Sequence, residues 1–289
     1  VALYRLSEEC PVSGVTVGER FFPGHAGHFT DPSVHMAFFA LDYTQGKGTP
    51  LAVTATDFAD NRAVAGLDHY IKARSFRADS INLSDRFLNA KMPDFERFFP
   101  EAAGGSRLDL FLKVNRDLRL ANRDSIFQIT AQSEKEILWE GPFLRLPRSA
   151  NRARFADQRT YAYAQEVVDR QSHMGIDLAS TAHAEVPAAN HGKVAFTGDQ
   201  GIYGNTVIID HGFGLFTLYA HLSQIGVSAG QRVAQGTIIG KTGMTGLAGG
   251  DHLHYAMLVH QTYVNPIEWW DAAWIENNIT SKINEAGPL

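Results

Sequence analysis

Two short groups in the second half of the chain combine residue types that hold metals: His173-Met174-Gly175-Ile176-Asp177 and Asp251-His252-Leu253-His254. On a strand, side chains two apart project from one face about 6.7 Å from each other, so His252 and His254 stand side by side with Leu253 turned away. That spacing is too wide for both to reach one atom without bending inward, so one ligates while the other stands over the vacant coordination position. The glycine between His173 and Asp177 argues for a turn entering a strand, which brings one imidazole and one carboxylate to the same ion. Ligands of the His, Asp, His kind leave a position for water, the arrangement of a catalytic zinc site. Zinc lowers the pKa of that water to about 7 and polarises a carbonyl, so hydrolysis is the expected chemistry. A His-Glu-x-x-His helix with its own glutamate is absent from the sequence, so histidines must handle the proton. His252 and His221, in Leu218-Tyr219-Ala220-His221-Leu222-Ser223, are the candidates.

Glycine-rich turns separate Val207-Ile208-Ile209, Phe216-Thr217-Leu218-Tyr219, Ile238-Ile239 and the run from 253 to 259, and many of the 26 glycines fall between 192 and 250. This half reads as antiparallel β. Residues 141–154 pack two prolines and four arginines into a stretch without clear periodicity, as a domain boundary does. Upstream, residues 34–42 and 51–58 are strand-like and predict a small β-sandwich. Ser84 before Phe87-Leu88, and Leu108, Leu112, Leu118, Ile126 and Phe127 within 106–139, predict helices, either an insertion in the first domain or a bridge to the second. The expected fold is mainly β. Residues 1–140 form a β-sandwich-like plus helical region, and residues 141–289 form an antiparallel sheet domain with a C-terminal tail.

The 289 residues carry 26 Lys+Arg against 31 Asp+Glu, a net charge of −5. That balance gives no basic field for nucleic acid. The apolar run from Met36 to Leu41 is far short of a membrane helix. The single cysteine, Cys10, excludes an internal disulfide framework and a cysteine zinc site. The chain starts at Val1 without a leader, so a targeting segment is expected to be absent from it, and an anchor upstream stays open.

His173-x-x-x-Asp177, Gly204-Asn205-Thr206-Val207-Ile208-Ile209-Asp210-His211-Gly212, Tyr219-Ala220-His221-Leu222, Gly230-Gln231-Arg232-Val233-x-x-Gly236-x-Ile238-Ile239-Gly240 and His252-Leu253-His254 together resemble the LytM/lysostaphin family of zinc endopeptidases, which cut peptide bonds in bacterial peptidoglycan. The resemblance covers roughly residues 150–270. It implies His173, Asp177 and His254 as ligands of one Zn2+ per chain, His221 and His252 as the catalytic pair, peptidoglycan peptides as substrate, and the bacterial envelope, periplasmic or extracellular, as location. Asp251 stands where such proteins often have proline, and its carboxylate either orients His252 or is simply tolerated there. An aromatic upstream of the first ligand contacts the reacting group in some members, which makes Tyr161 and Tyr163 candidates. Some latent members close the fourth zinc position with an upstream segment, and residues 1–150 are large enough for that.

Other readings of the same residues are expected to lose. A relative that binds and activates another cell-wall hydrolase would have lost ligands, whereas all five positions are intact here. A facial triad of an iron(II) oxygenase also uses two histidines and a carboxylate, but the surrounding glycine and histidine pattern does not suit it. His211 reads as structural, His183, His191 and His260 as surface or packing residues, and His25-x-x-His28 as a loop. Asp210 and Glu185 are candidate partners of a ligating imidazole, in competition with a backbone carbonyl. Trp269, Trp270 and Trp274 read as packing at a C-terminal helix. Because imidazoles must be neutral to bind zinc, activity should fall below pH of about 6.

Overall fold

Two of the most apolar strands in the chain, Leu215–Ala220 and Leu253–Val259, pair antiparallel inside an eight-stranded sheet, and every residue of both is buried. A computed structural model, describing residues 1–102 and 104–287, shows why these strands read as continuous apolar runs rather than as an alternation. Both faces of the sheet are covered. Val207, Ile209, Leu215, Tyr219, Tyr255 and Met257 face one core, with Val15, Phe22, Met36 and Phe38 from the N-terminal strands and Trp139, Phe143 and Trp269. Ile208, Phe216, Leu218, Ala256 and Leu258 face the other, against Leu88, Phe95, Phe111, Val114 and Ile126 of the helical insertion. Side chains alternate with period two, so a sheet buried on both sides needs apolar residues at every position.

The architecture is mainly β, with small N-terminal sheets, a helical insertion and a large antiparallel C-terminal sheet. Val12–Val17, Arg20–Pro23, Leu51–Thr56 and Arg62–Gly66 form a four-stranded antiparallel sheet, and Ala2–Arg5 pairs with Val34–Ala37. Gly18, at φ +60°, takes the first position of the two-residue turn between Val17 and Arg20, where positive φ matches the twist of the strands. The strand expected over 51–58 stops at Thr56, because the Asp57 carboxylate accepts from the backbone N–H groups of Ala59 and Asn61 and closes a turn.

Ser84 caps Asp85–Lys91 by accepting from the Phe87 N–H, and Ser106 caps Arg107–Lys113 by accepting from Asp109. A π-helical turn, Val114–Leu118, leads into Arg119–Ile129. Helix does not continue to 139 as expected. After Ile129 the chain runs irregularly, held where the Asp210 carboxylate accepts from the Ser133 hydroxyl (2.6 Å) and the Glu134 N–H (2.7 Å). Among the described residues no helix is long and apolar enough to cross a membrane.

One junction positions the site. Ala78–Asn82 lies parallel to Asp157–Tyr163, which pairs antiparallel with Glu166–His173. Arg77 secures this three-stranded sheet by donating to both oxygens of the buried Asp157.

Candidate metal centre

Sheet register brings the first two groups together. Asp177 on Ile176–Ala179 lies directly opposite His254 on Leu253–Val259, and opposed residues of an antiparallel pair share a face. Ile176, Leu178, Leu253 and Tyr255 turn to the opposite core. His173 ends its strand, and the chain turns at Gly175 before Ile176–Ala179. A Cβ at Gly175 would stand 2.6 Å from the His254 ring and 2.7 Å from the Tyr255 carbonyl oxygen, so only glycine permits the approach.

His173 Nε2, Asp177 Oδ1 and His254 Nδ1 form a closed triangle with sides of 2.9, 2.9 and 3.0 Å. All three residues are buried. The Arg154 carbonyl accepts from His173 Nδ1 at 3.0 Å, which leaves the lone pair of Nε2 aimed into the triangle. Arg159 Nη2 donates to Asp177 Oδ2 at 2.9 Å, leaving Oδ1 for the same space. Lone-pair atoms this close repel unless a proton or a cation lies among them. Two imidazoles and a carboxylate are a donor set of borderline-soft divalent ions such as zinc. Among the described residues this is the one group of three His, Cys, Asp or Glu side chains able to hold a metal ion, and the residues present fit one.

Electrostatics follow from burial. Burial would raise the Asp177 carboxyl, but His173 and His254 outweigh it and hold the group well below the usual carboxylate range. Burial pushes His254 down to about 4, against the opposing hydrogen bond to Asp177. Both groups therefore present lone pairs at neutral pH.

His221 and His252 face each other beside the triangle, with ring centroids 4.8 Å apart. Each holds its Nδ1 against a backbone carbonyl, His221 on Thr245 and His252 on Gly250, both at 2.8 Å. With the proton on Nδ1, each Nε2 carries a lone pair. His252 Nε2 lies 3.6 Å from Asp177 Oδ1. His221 follows Leu215–Ala220 at φ +62°, a sparsely populated backbone conformation for a non-glycine residue that is kept where surrounding bonds over-determine it. Here the His221 N–H donates to the Tyr203 carbonyl at 2.8 Å. Burial, reinforced by His252 and His254, holds the His221 imidazole well below its ordinary range.

All five histidine and aspartate positions singled out in the sequence thus converge, while several neighbours behave otherwise. Asp251 does not orient His252: it accepts from the Thr242 hydroxyl (2.6 Å) and the His183 N–H (3.1 Å). Asp210 holds the 133–134 segment and no imidazole, and for His173 the partner is a backbone carbonyl. Tyr161 lines the site cavity, whereas the Tyr163 hydroxyl donates to Asp85. Trp269 and Trp274 pack against each other at the C-terminal helices, with ring centroids 5.5 Å apart and the planes tilted by 53°. Arg159 and Tyr203 escaped the sequence reading. Neither lies in a spaced motif, and only strand pairing and the turn Gly201–Tyr203 carry them to the site.

The cavity over these groups has a volume of about 250 Å³. Ile81, Leu83, Phe87 and Phe111 from the first half of the chain wall it on one side. Lys91 ties the capped helix to the facing loop by donating to the carbonyls of Met244 (2.6 Å) and Gly246 (3.2 Å), next to the Thr245 carbonyl that orients His221.

The model of peptidase family M23 matches residues 171–266. That stretch, which contains all five site residues, belongs to family M23. The DD-carboxypeptidase/endopeptidase Mpg of Neisseria meningitidis is 43% identical over 95 residues, and the peptidoglycan DD-endopeptidase ShyA of Vibrio cholerae is 40% identical over 96 residues. Each match covers 33% of this chain and 22% of the relative, so the chain spans less than a quarter of those proteins. A crystal structure from Pseudomonas aeruginosa assigned to peptidase M23 shares the fold, with a TM-score of 0.55 and 21% identity over 94% of this chain and 92% of that one.

Proposed function

We propose that this chain is a zinc-dependent endopeptidase that hydrolyses peptide bonds in bacterial cell-wall peptidoglycan. The observation that carries the reading is the buried triangle of His173 Nε2, Asp177 Oδ1 and His254 Nδ1 beside two histidines with bare Nε2 atoms. His173, Asp177 and His254 would hold the ion, which when bound supplies Lewis acidity toward water and a scissile carbonyl. One of His221 and His252 takes the proton of the attacking water on Nε2. That ring then returns the proton to the departing amine, and the other, which must enter as an imidazolium with a solvent-derived proton on Nε2, would donate to the developing oxyanion. The Thr245 and Gly250 carbonyls keep each ring in the tautomer that this exchange needs. Arg159, by donating to Asp177 Oδ2, keeps the carboxylate turned with Oδ1 toward the triangle, and is a positioning residue.

The matched relatives are described as peptidoglycan DD-endopeptidases or carboxypeptidases, and this supports peptidoglycan peptides as substrate and the cell envelope as location. The division into residues 1–140 and 141–289 belongs to the same proposal. In it, the first part restricts access to the site through Ile81, Leu83, Phe87 and Phe111. Truncation near 145 is a poor test of that role, since it would expose the apolar face formed by Ile208, Phe216 and Leu218.

The test is incubation of zinc-quantified protein with isolated peptidoglycan, followed by mass spectrometry of released fragments. New amino and carboxyl ends within stem peptides or cross-bridges are expected. Absence of release by protein holding one zinc per chain, and by its Phe87→Ala form with a widened cleft, would overturn the reading.

A further inference from the structure

A second cavity of about 790 Å³ adjoins the first, and Arg119, Arg159, Met174 and Tyr203 line both. Its wall holds six arginines, Arg20, Arg116, Arg119, Arg123, Arg159 and Arg170, against the single carboxylate of Asp42 among the described residues. In a chain of net charge −5 such a concentration needs an explanation. Four of the six are compensated: Arg116 by Asp169 (3.1 Å), Arg123 by Asp124 (2.9 Å), Arg159 by Asp177 (2.9 Å) and Arg20 by Asp42 (3.6 Å). Arg119 donates only to neutral acceptors, the main-chain and side-chain oxygens of Asn115, at 3.1 and 2.6 Å. Arg170 has no ion pair among the described residues. The bonds to Asn115 hold the Arg119 guanidinium in place without cancelling its charge, which is how a cation is prepared for an anion yet to arrive.

We propose that this cavity is a substrate subsite that binds a free carboxylate of the peptide being cut, with Arg119 and Arg170 as the recognising groups. The proposal rests on the endopeptidase reading. A guanidinium fork matches a carboxylate in plane and can bind it through two parallel hydrogen bonds. The cavity is of a size that takes a small ligand or a few residues of a peptide. Because Arg119 borders both cavities, a carboxylate held there anchors a chain whose neighbouring bond lies over His221 and His252. The carboxylate can come from the end of a chain or from an acidic side chain, and the two sources are separable.

Three probes too short to be cut within a peptide are titrated into the zinc-loaded 289-residue chain and followed by ligand-observed NMR. They are N-acetylalanine, N-acetylalaninamide and the α-amide of N-acetylglutamic acid, which keeps only its side-chain carboxylate. At least one acid is expected to bind about tenfold or more tightly than N-acetylalaninamide, and which acid does so names the source. In Arg170→Met and in Arg119→Met that preference should fall to under about twofold, with zinc content and unfolding temperature unchanged in Arg170→Met. Equal binding of all three probes overturns the proposal. So does a preference that survives in Arg170→Met and Arg119→Met, since the carboxylate would then be meeting the metal. Acid-selective binding by a protein that cuts no peptidoglycan leaves the subsite standing and removes the endopeptidase reading. Cutting with equal kcat/KM on native and carboxylate-amidated peptides does the reverse.

Discussion

His211 directly follows the sheet strand Asn205–Asp210, His254 lies on Leu253–Val259 of the same sheet, both are buried, and burial pushes the imidazole of each down to about 4. Their partners differ. His211 Nδ1 donates to the His191 carbonyl at 2.6 Å, and its Nε2 accepts from the Thr217 hydroxyl at 2.7 Å. Both nitrogens are satisfied. His254 turns Nδ1 toward two other lone-pair atoms, and its Nε2 has no partner among the described residues. A buried histidine whose bonds are complete is structural material, whereas one whose lone pair points at other lone pairs marks a place for a cation. Depth and pKa alone would not have separated them.

The contrast is open to direct attack. The largest expected effect is at the triangle: Asp177→Ala and His254→Ala should each lower bound zinc from about one per chain to under about 0.1 after dialysis, measured by elemental analysis. His211→Gln should leave zinc content unchanged. Loss of zinc in His211→Gln would erase the distinction between the two sites.

Next comes His221→Ala, which should retain zinc and lose about 10²- to 10⁴-fold in turnover of peptidoglycan peptides. Normal turnover would show that His221 plays no part in the chemistry. Gly175→Ala should weaken zinc affinity by about 10- to 100-fold, because the new Cβ displaces the His254 ring without removing any ligand. A competition titration with a chelator reads this.

The smallest effect is on stability, and it belongs to His211. Its folded-state pKa of about 4 lies below the ordinary 6.5, so between those values the unfolded chain holds a proton that the folded chain lacks. Stability from this group is complete above pH 6.5 and declines as the pH falls toward 4, by on the order of 3 kcal/mol in total. In urea unfolding across that window, His211→Gln should flatten the pH slope by roughly one proton's worth, about 1.4 kcal/mol per pH unit at most. An unchanged slope would mean that His211 is charged in the fold.

The sequence marked the five site residues because metal chemistry restricts residue type and because each of their short-range arrangements is local. His-x-His places two rings on one side of a strand, and His-x-x-x-Asp with a central glycine makes a strand end turn into the next strand. Ser84 and Ser106 were likewise readable as helix caps from neighbours three residues away. The sequence left open whether Asp251 orients His252, for the complementary reason: being next to His252 in the chain does not aim a carboxylate at it, and the Thr242 hydroxyl and His183 N–H, both distant in sequence, hold it instead.

What the amino-acid sequence determined by itself was therefore a candidate His/Asp/His metal site with two further histidines, and the mainly β class of the fold. Tertiary structure decided the register that sets Asp177 opposite His254, the carbonyls that fix the tautomers of His173, His221 and His252, and the use of Arg159 to hold Asp177. It also gathered arginines from positions 20, 116, 119, 123, 159 and 170 around one cavity. Charges spread over 150 positions leave no local pattern to read. Their field exists only once the helical insertion and the strand pair Asp157–Tyr163 and Glu166–His173 are packed together, because electrostatic interaction depends on distance in space and not along the chain.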